Sequence, residues 1–207
     1  MKARARSAFT AFDVVVSLAT LFLLMALFIL AQRSARVGCG GATCASNQKQ
    51  IALAFRMWSN DHGDKFPMSA DASACAGNPI PSFLMISNEL TTPKLLFCPQ
   101  DRRRGPRALA FEALTTNEVS YSIGIDASET NAASLLLTDR NVALPNLQQP
   151  AGLLLISEPK AASWNREIHE LQGNIALADG SVSQRTQKAL QQALKDSGLA
   201  TNRFAVP

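Results

Sequence analysis

The sequence has 207 residues, four cysteines and a formal net charge of +4, a size that suits one domain with a modest core and an appendage. Nine of its 20 lysines and arginines flank an apolar run or lie in the segment 102–107, which is predicted to be a solvated loop. Because they do not alternate with aromatic residues along one face, a nucleic-acid-binding function is excluded.

The first predicted element is a transmembrane helix. Residues 14–31, VVVSLATLFLLMALFILA, carry no charge, and Ser17 and Thr20 are their only polar residues. At 1.5 Å per residue they extend about 27 Å, close to the thickness of the bilayer hydrocarbon. The run lacks the polar stripe of a helix in a soluble core. We therefore predict a basic leader at residues 1–8 and a transmembrane helix at residues 9–32.

The charged residues on either side of this helix favour a cytoplasmic N-terminus. They are Lys2, Arg4 and Arg6 before the helix and Arg33 and Arg36 after it. The predicted location is the inner (cytoplasmic) membrane, crossed once, with the remainder of the chain periplasmic or otherwise extracytoplasmic. A cleavable secretory signal is the alternative, but the sequence LAQRSA at residues 30–35 is a poor cleavage site because Arg33 lies inside it.

A carboxylate stands at the start of the apolar run, in Phe9-Thr10-Ala11-Phe12-Asp13. With the basic leader before it, this segment resembles the N-terminus of prepilin-like proteins, which are cleaved after a small residue. The resemblance implies cleavage by a prepilin peptidase between Ala8 and Phe9, and an assembly role for Asp13 as partner of a neighbouring subunit's new N-terminal amine. The family prefers Gly at the position of Ala8 and Glu at the position of Asp13. If cleavage is lost, the segment remains a plain signal anchor.

The soluble part extends this resemblance to bacterial pseudopilin-like proteins of type II secretion and type IV pilus-like systems. The matching segments are CASNQKQIALAF (44–55), NDHGDKFP (60–67), SNELTTPK (87–94), Cys98-Pro99, Ser120-Tyr121 and GNIALADGSV (173–182). The resemblance implies a structural subunit that packs against like or related subunits in the lipid bilayer. A signal-anchored extracytoplasmic binding protein that joins no filament is the alternative.

After the membrane helix, we predict a stalk and amphipathic helix at residues 33–62 and an α+β domain at residues 63–207. Glycines at 38, 40 and 41 predict either a kink or a restart of the helix, with Ser46 as the N-cap of the second part. Ile51, Phe55 and Trp58 then recur at helical spacing. The helix is expected to end near Gly63.

The domain is predicted to contain an antiparallel, pilin-like sheet and a C-terminal helix. A short helix is expected at residues 80–89 and the C-terminal helix at residues 186–196. Strands are expected at residues 119–126, 135–138, 153–157, 174–179 and 181–184. Asp179-Gly180 between the last two strands is a tight-turn signal and predicts a hairpin.

The four cysteines predict disulfides, because an extracytoplasmic domain is exposed to oxidation. No CxxC pair is present, so a zinc-finger pattern is not supported. Four cysteines allow three complete pairings. Cys44–Cys98 is the first expectation, because the irregular segment before Cys98 needs an attachment to the helix that Cys44 opens. A pairing of Cys39 with Cys75 is the second expectation.

No catalytic motif is present, and the chain is predicted not to be an enzyme and to need no cofactor. The candidates for a metal site are Asp139, Asp179 and His169, for which calcium is favoured over zinc because of the carboxylates. Each of the three has another explanation: Asp179 makes a turn with Gly180, Asp139 follows a strand in a loop, and His169 lies in a polar loop.

Overall fold

The computed structural model describes residues 10–70, 77–103, 107–145 and 151–207, and within residues 30–40 it describes the backbone alone. The α-helices of this described part are α1 (Ala11–Asp61), α2 (Pro67–Ala70), α3 (Ile80–Met85) and α4 (Gln187–Asp196). The strands are β1 (Tyr121–Gly124), β2 (Leu135–Asp139), β3 (Val142–Ala143), β4 (Gly152–Ile156), β5 (Ser163–Trp164), β6 (Gly173–Leu177), β7 (Val182–Arg185) and β8 (Asn202–Val206). Single turns of 3-10 helix lie at Pro93–Leu96, Phe111–Ala113, Thr116–Glu118 and Pro159–Ala161.

Six of the strands form one antiparallel sheet in the order β4-β8-β1-β2-β6-β7, and β3 pairs with β5 in a separate ribbon. The predicted α+β class, antiparallel sheet and C-terminal helix are confirmed. The hairpin of β6 and β7 is also confirmed: Gly180 has φ 80°, and the backbone N–H of Leu177 donates to the carbonyl of Ser181 at 2.9 Å. The left-handed conformation at this turn is the one that glycine adopts without steric cost.

Both faces of the sheet are covered, which explains why β1 and β2 are buried along their whole length. On one face, Ile51 and Phe55 of α1 pack with Tyr121 and Leu137 of the sheet. On the other face, Leu190 and Leu194 of α4 pack with Leu154, Ile175 and Phe204. The predicted amphipathic face is confirmed, because Ile51, Phe55 and Trp58 are all buried.

The chain divides into two compact units, Met1–Cys39 and Gly40–Pro207. Within the first unit, the described residues include an apolar helical stretch, Ala11–Ile29, with a mean hydropathy of 2.5 and no buried side chain. Its length and composition make it the one candidate membrane span in the described part of the chain. The predicted single-pass anchor is supported at this level.

One local expectation is wrong. Ser46 is not an N-cap, because α1 runs through it and its carbonyl accepts a bond from Gln50 Nε2. α1 continues through the nearby glycines without a break. Gly41 lies next to the side chain of Gln184 of β7, which a Cβ at this position would approach to 3.5 Å. Three strands, β3, β5 and β8, were not predicted, and β8 lies inside the sheet between β4 and β1.

Candidate functional site

The processing residues of the predicted leader, Ala8 and Phe9, lie outside the described residues. Asp13 lies in the first turn of α1, where its Oδ2 accepts bonds from the backbone N–H of Thr10 at 2.9 Å and from Thr10 Oγ1 at 2.8 Å. The backbone N–H of Asp13 in turn faces Thr10 Oγ1 at 3.3 Å. Thr10 and Asp13 therefore form a reciprocal helix cap, which sequence reasoning did not foresee although a Thr-x-x-Asp pattern signals it.

The predicted Cys44–Cys98 disulfide is confirmed. The two Cα atoms are 5.3 Å apart, and the bond closes a sequence separation of 54 residues. Both cysteines, Cys44 of α1 and Cys98 of the irregular segment, are fully buried in the core cluster that α1 forms with the sheet. The disulfide thus attaches the irregular segment before β1 to the helix, as the sequence argument required. Of the second expected pair, Cys75 lies outside the described residues, and only the backbone of Cys39 is described.

A cluster of buried polar side chains lies beside this disulfide. Asp139, at the end of β2, is fully buried and accepts three bonds. Gln48 Nε2 of α1 donates to Oδ1 at 2.8 Å, while the backbone N–H and Nδ2 of Asn174 donate to Oδ2 at 2.6 and 3.1 Å. The expectation that Asp139 is a loop carboxylate is therefore wrong, because it is the last residue of β2. Its carboxyl group is tolerated in the interior because these donors replace water.

His169 completes the cluster from the loop between β5 and β6. Its Nε2 lies 3.5 Å from Cys98 Sγ, 3.4 Å from Asp139 Oδ2 and 3.1 Å from Asn174 Nδ2. The side chain is 1% exposed, so the expectation of a solvated polar loop is wrong for this residue. Asn174 Nδ2 can only donate, so Nε2 carries a lone pair and the imidazole is neutral.

The backbone that presents His169 is held in an uncommon conformation. His169, Glu170 and Leu171 have φ values of 54°, 47° and 67°, three consecutive left-handed residues without a glycine. Asn141 holds this loop in place, since its Nδ2 lies within 3.1 Å of three carbonyl oxygens in the loop, those of Asn165, Ile168 and Gln172. Such strained positions are frequent at functional sites and persist only when surrounding contacts impose them.

The burial of this cluster shifts both of its titratable groups toward neutrality. Desolvation raises the pKa of Asp139 to about 7, against the opposing bonds from Asn174 and Gln48. Desolvation lowers the pKa of His169 to about 4. Desolvation therefore favours the neutral form of both groups.

The cluster does not have the geometry of a nucleophilic triad. In such a triad one imidazole nitrogen faces the nucleophile and the other faces the carboxylate. Here the same Nε2 faces both Cys98 Sγ and Asp139 Oδ2, and Cys98 is bonded to Cys44. Asp139 and His169 come together, but Asp179 does not join them. It lies exposed in the turn at the other end of β6, where its carboxylate accepts the backbone N–H of Ser181 at 2.7 Å.

A second buried network was missed by sequence reasoning. Arg140 Nε and Nη2 donate to the two oxygens of Asp101 at 2.7 and 2.5 Å, and Ser120 Oγ donates to Asp101 at 2.8 Å. The charge of Arg140 and the hydroxyl of Ser120 hold the pKa of Asp101 below its usual range despite burial. Arg103 joins the network 3.4 Å from Asp101, so the expectation that the basic segment is entirely solvated is wrong at this residue.

Comparisons of the chain with protein-family models, with curated proteins and with solved structures find no significant match.

Proposed function

We propose that this chain is a pseudopilin-like structural subunit, anchored in the inner membrane with its N-terminus cytoplasmic and its domain periplasmic. It assembles with like or related subunits through lateral packing of N-terminal helices, as part of a type II secretion or type IV pilus-like system. The observation that carries the proposal is an exposed helix, Ala11–Ile29, that is apolar on all sides and has a single carboxylate, Asp13, in its first turn.

A helix without a polar face needs lipid or other apolar helices around it. Phe22, Leu24 and Phe28 are all more than 60% exposed, so their side chains are available to pack against lipid or other helices. A carboxylate at this position is costly in a membrane unless it is paired. The amine created by cleavage after Ala8 is the partner that the resemblance implies.

The domain adds two supporting features. The part of α1 after Gly40 packs on an antiparallel sheet, where Lys49 Nζ donates to Gly180 O and Arg56 Nη1 donates to Asp179 O at 2.6 and 2.8 Å. This is the arrangement expected of a pilin-like domain. The Cys44–Cys98 disulfide fits an oxidising compartment such as the periplasm.

A second candidate is a signal-anchored extracytoplasmic binding protein that joins no assembly. The observation that favours it is the reciprocal cap of Thr10 and Asp13. The cap supplies the carboxylate of Asp13 with two donors from its own helix, so a neighbouring amine is not needed to explain it.

N-terminal sequencing of the protein extracted from membranes separates the two candidates. A mature start at Phe9 supports the pseudopilin proposal, and a start at Met1 supports the anchored binding protein. We expect Ala8→Gly to accelerate processing in cells that contain a prepilin peptidase, because the peptidase family prefers glycine before the cleaved bond. Identical migration of the native chain and the variant with and without the peptidase would argue that the leader is not recognised.

Substitutions of Asp13 test the assembly role against the capping role. Asp13→Asn retains an oxygen that can accept from Thr10 but removes the charge, whereas Asp13→Glu retains the charge. We expect both variants to insert normally, and we expect Asp13→Asn to lose incorporation into cross-linked membrane complexes while Asp13→Glu keeps it. Normal incorporation of Asp13→Asn would show that Asp13 acts only as a cap.

A further inference from the structure

The disulfide and His169 place three potential metal ligands in one buried position. The Sγ atoms of Cys44 and Cys98 and the Nε2 of His169 all lie within 4.8 Å of one another. The two cysteines are fully buried, and the His169 side chain is 1% exposed. This group could not be predicted from the sequence, because its members are far apart in the chain and show no metal-binding spacing.

We propose that reduction of the Cys44–Cys98 disulfide converts this group into a binding site for one zinc ion, with Cys44, Cys98 and His169 as its protein ligands. This inference goes beyond the proposed assembly function and does not depend on it. In a tetrahedral zinc site, with Zn–S near 2.3 Å and Zn–N near 2.0–2.1 Å, the sulfur and nitrogen ligands are about 3.5 Å apart. The distance from Cys98 Sγ to His169 Nε2 is 3.5 Å, so this pair already has the required separation.

The chemistry of the three ligands selects zinc over calcium. Thiolate and imidazole are ligands for zinc, whereas calcium requires oxygen ligands. Two thiolates and one neutral imidazole carry a total charge of −2, which a divalent ion neutralises. A neutral site is the form that a position without solvent tolerates, since an unpaired buried charge is costly.

The Nε2 atom of His169 already lies beside the sulfur of Cys98. Asn174 Nδ2 lies 3.1 Å from Nε2 and donates to its lone pair, so the hydrogen of this tautomer is on Nδ1, and a bound zinc ion would replace the bond from Asn174. The strained loop of three left-handed residues, anchored by Asn141, keeps the imidazole at the sulfur atoms. A preformed ligand of this kind reduces the ordering that metal binding requires.

Two surface clefts are lined by residues that neighbour the ligands in sequence. One cleft of about 450 Å³ is lined by residues on both sides of Cys98, including Phe97 and Pro99. A second cleft of about 330 Å³ is lined by Glu170 and Leu171, next to His169. Both clefts include Arg102, so they meet at the same segment of the surface.

The conversion balances as a two-electron exchange followed by proton release. A dithiol reductant supplies two electrons and two protons, the Cys44–Cys98 bond breaks into two thiols, and the reductant becomes a disulfide. Zinc then displaces the two thiol protons, which pass to solvent, and the ion coordinates both thiolates and Nε2 of His169. Oxidising conditions reverse the reaction and release the ion.

The test uses the full chain in detergent micelles, reduced with a phosphine that binds zinc weakly. A background with Cys39→Ser and Cys75→Ser removes the two other thiols. Titration with Co²⁺ as a spectroscopic substitute and with Zn²⁺ against a chromophoric chelator gives the stoichiometry and affinity. We expect one ion per reduced chain, a thiolate-to-cobalt charge-transfer band, and no binding by the oxidised chain.

Two histidine variants supply the matched comparison. His169→Asn removes the ligand and retains a residue that adopts the left-handed conformation readily. His62→Asn removes the other histidine, which stacks on Trp58 away from the group. We expect His169→Asn to weaken zinc binding at least about tenfold, because losses of that size follow even when only a residue that hydrogen-bonds to a ligand is replaced. We expect His62→Asn to leave zinc binding unchanged.

A measurement on the native sequence removes the dependence on variant folding. The reduced chain is alkylated with and without Zn²⁺, and each cysteine is quantified by peptide mapping. We expect zinc to protect Cys44 and Cys98 but not Cys39 or Cys75. The proposal is overturned if Cys44 and Cys98 are alkylated equally with and without zinc, if the oxidised chain binds zinc equally well, or if His169→Asn binds with native affinity.

Discussion

Replacing Asp139 and His169 one at a time should reveal two opposite pH dependences of stability that cancel in the native chain. The two groups are buried side by side, with His169 Nε2 3.4 Å from Asp139 Oδ2. Desolvation raises the pKa of Asp139 to about 7 and lowers the pKa of His169 to about 4. Each shift makes the free energy of unfolding depend on pH, because the folded and unfolded states bind different numbers of protons.

The sign differs between the two groups. Asp139 has a raised folded pKa, so its contribution to stability is fully present below about pH 4 and is lost as the pH rises through about 7. His169 has a lowered folded pKa, so its contribution is fully present above about pH 6.5 and is lost as the pH falls through about 4. At intermediate pH the unfolded chain carries one proton on His169 and the folded chain carries one on Asp139.

Between pH 4.5 and 6.5 the native pair therefore contributes almost no slope. In Asp139→Asn only the His169 contribution remains, and we expect the free energy of unfolding to fall by about 2 kcal/mol as the pH is lowered across this window. In His169→Asn only the Asp139 contribution remains, and we expect a fall of about 2 kcal/mol as the pH is raised across the same window. The double variant should again have almost no slope.

Urea unfolding of the full chain in micelles, followed by tryptophan fluorescence, measures these slopes. Trp58 and Trp164 are the two tryptophans of the sequence, and both are buried in the domain, so the signal reports domain unfolding. Slopes are taken relative to the double variant, so that titrations common to all chains cancel. A single variant with no slope, or with the opposite sign, would refute the conclusion that desolvation controls the pKa values of these two groups.

The remaining predictions concern the stability of the domain. Cys44→Ala should lower the free energy of unfolding by about 4 kcal/mol, because it opens a loop closed over 54 residues and the unfolded chain gains entropy. Urea unfolding of the variant and of the native chain measures the difference. Equal stability of the two chains would contradict the role of Cys98 as an attachment point. Asp101→Ala should cost about 3–5 kcal/mol, because the buried Arg140 loses both of its bonds to Asp101 and keeps only the more exposed Glu167 at 3.6 Å. Asp126→Ala, whose ion pair reaches solvent, should cost about 1 kcal/mol or less. Equal losses in the two aspartate variants, measured by thermal unfolding, would show that burial of the Asp101 pair has no energetic consequence.

Features set by neighbouring residues could be predicted from the sequence. The candidate membrane span follows from the composition of 19 consecutive residues, and the face of Ile51, Phe55 and Trp58 follows from helical spacing. Asp179-Gly180 specified a turn for the same reason, because backbone conformation at a turn depends on the two residues themselves. Ser46 was misinterpreted because packing of α1 on the sheet outweighs the helix-breaking tendency of nearby glycines.

The buried cluster was decided only by the tertiary structure. Cys98 and His169 are 71 positions apart, and Gln48 and Asp139 are 91 positions apart, so no periodic pattern connects them. Their meeting depends on the pairing of β2 with β6 and on the position of α1 above that pair, which are collective properties of the fold. Desolvation, which sets the charge states of Asp139 and His169, also arises only when these elements close over the site. The sequence therefore identified the cysteines and the candidate membrane span, while the folded sheet determined what the cysteines lie beside.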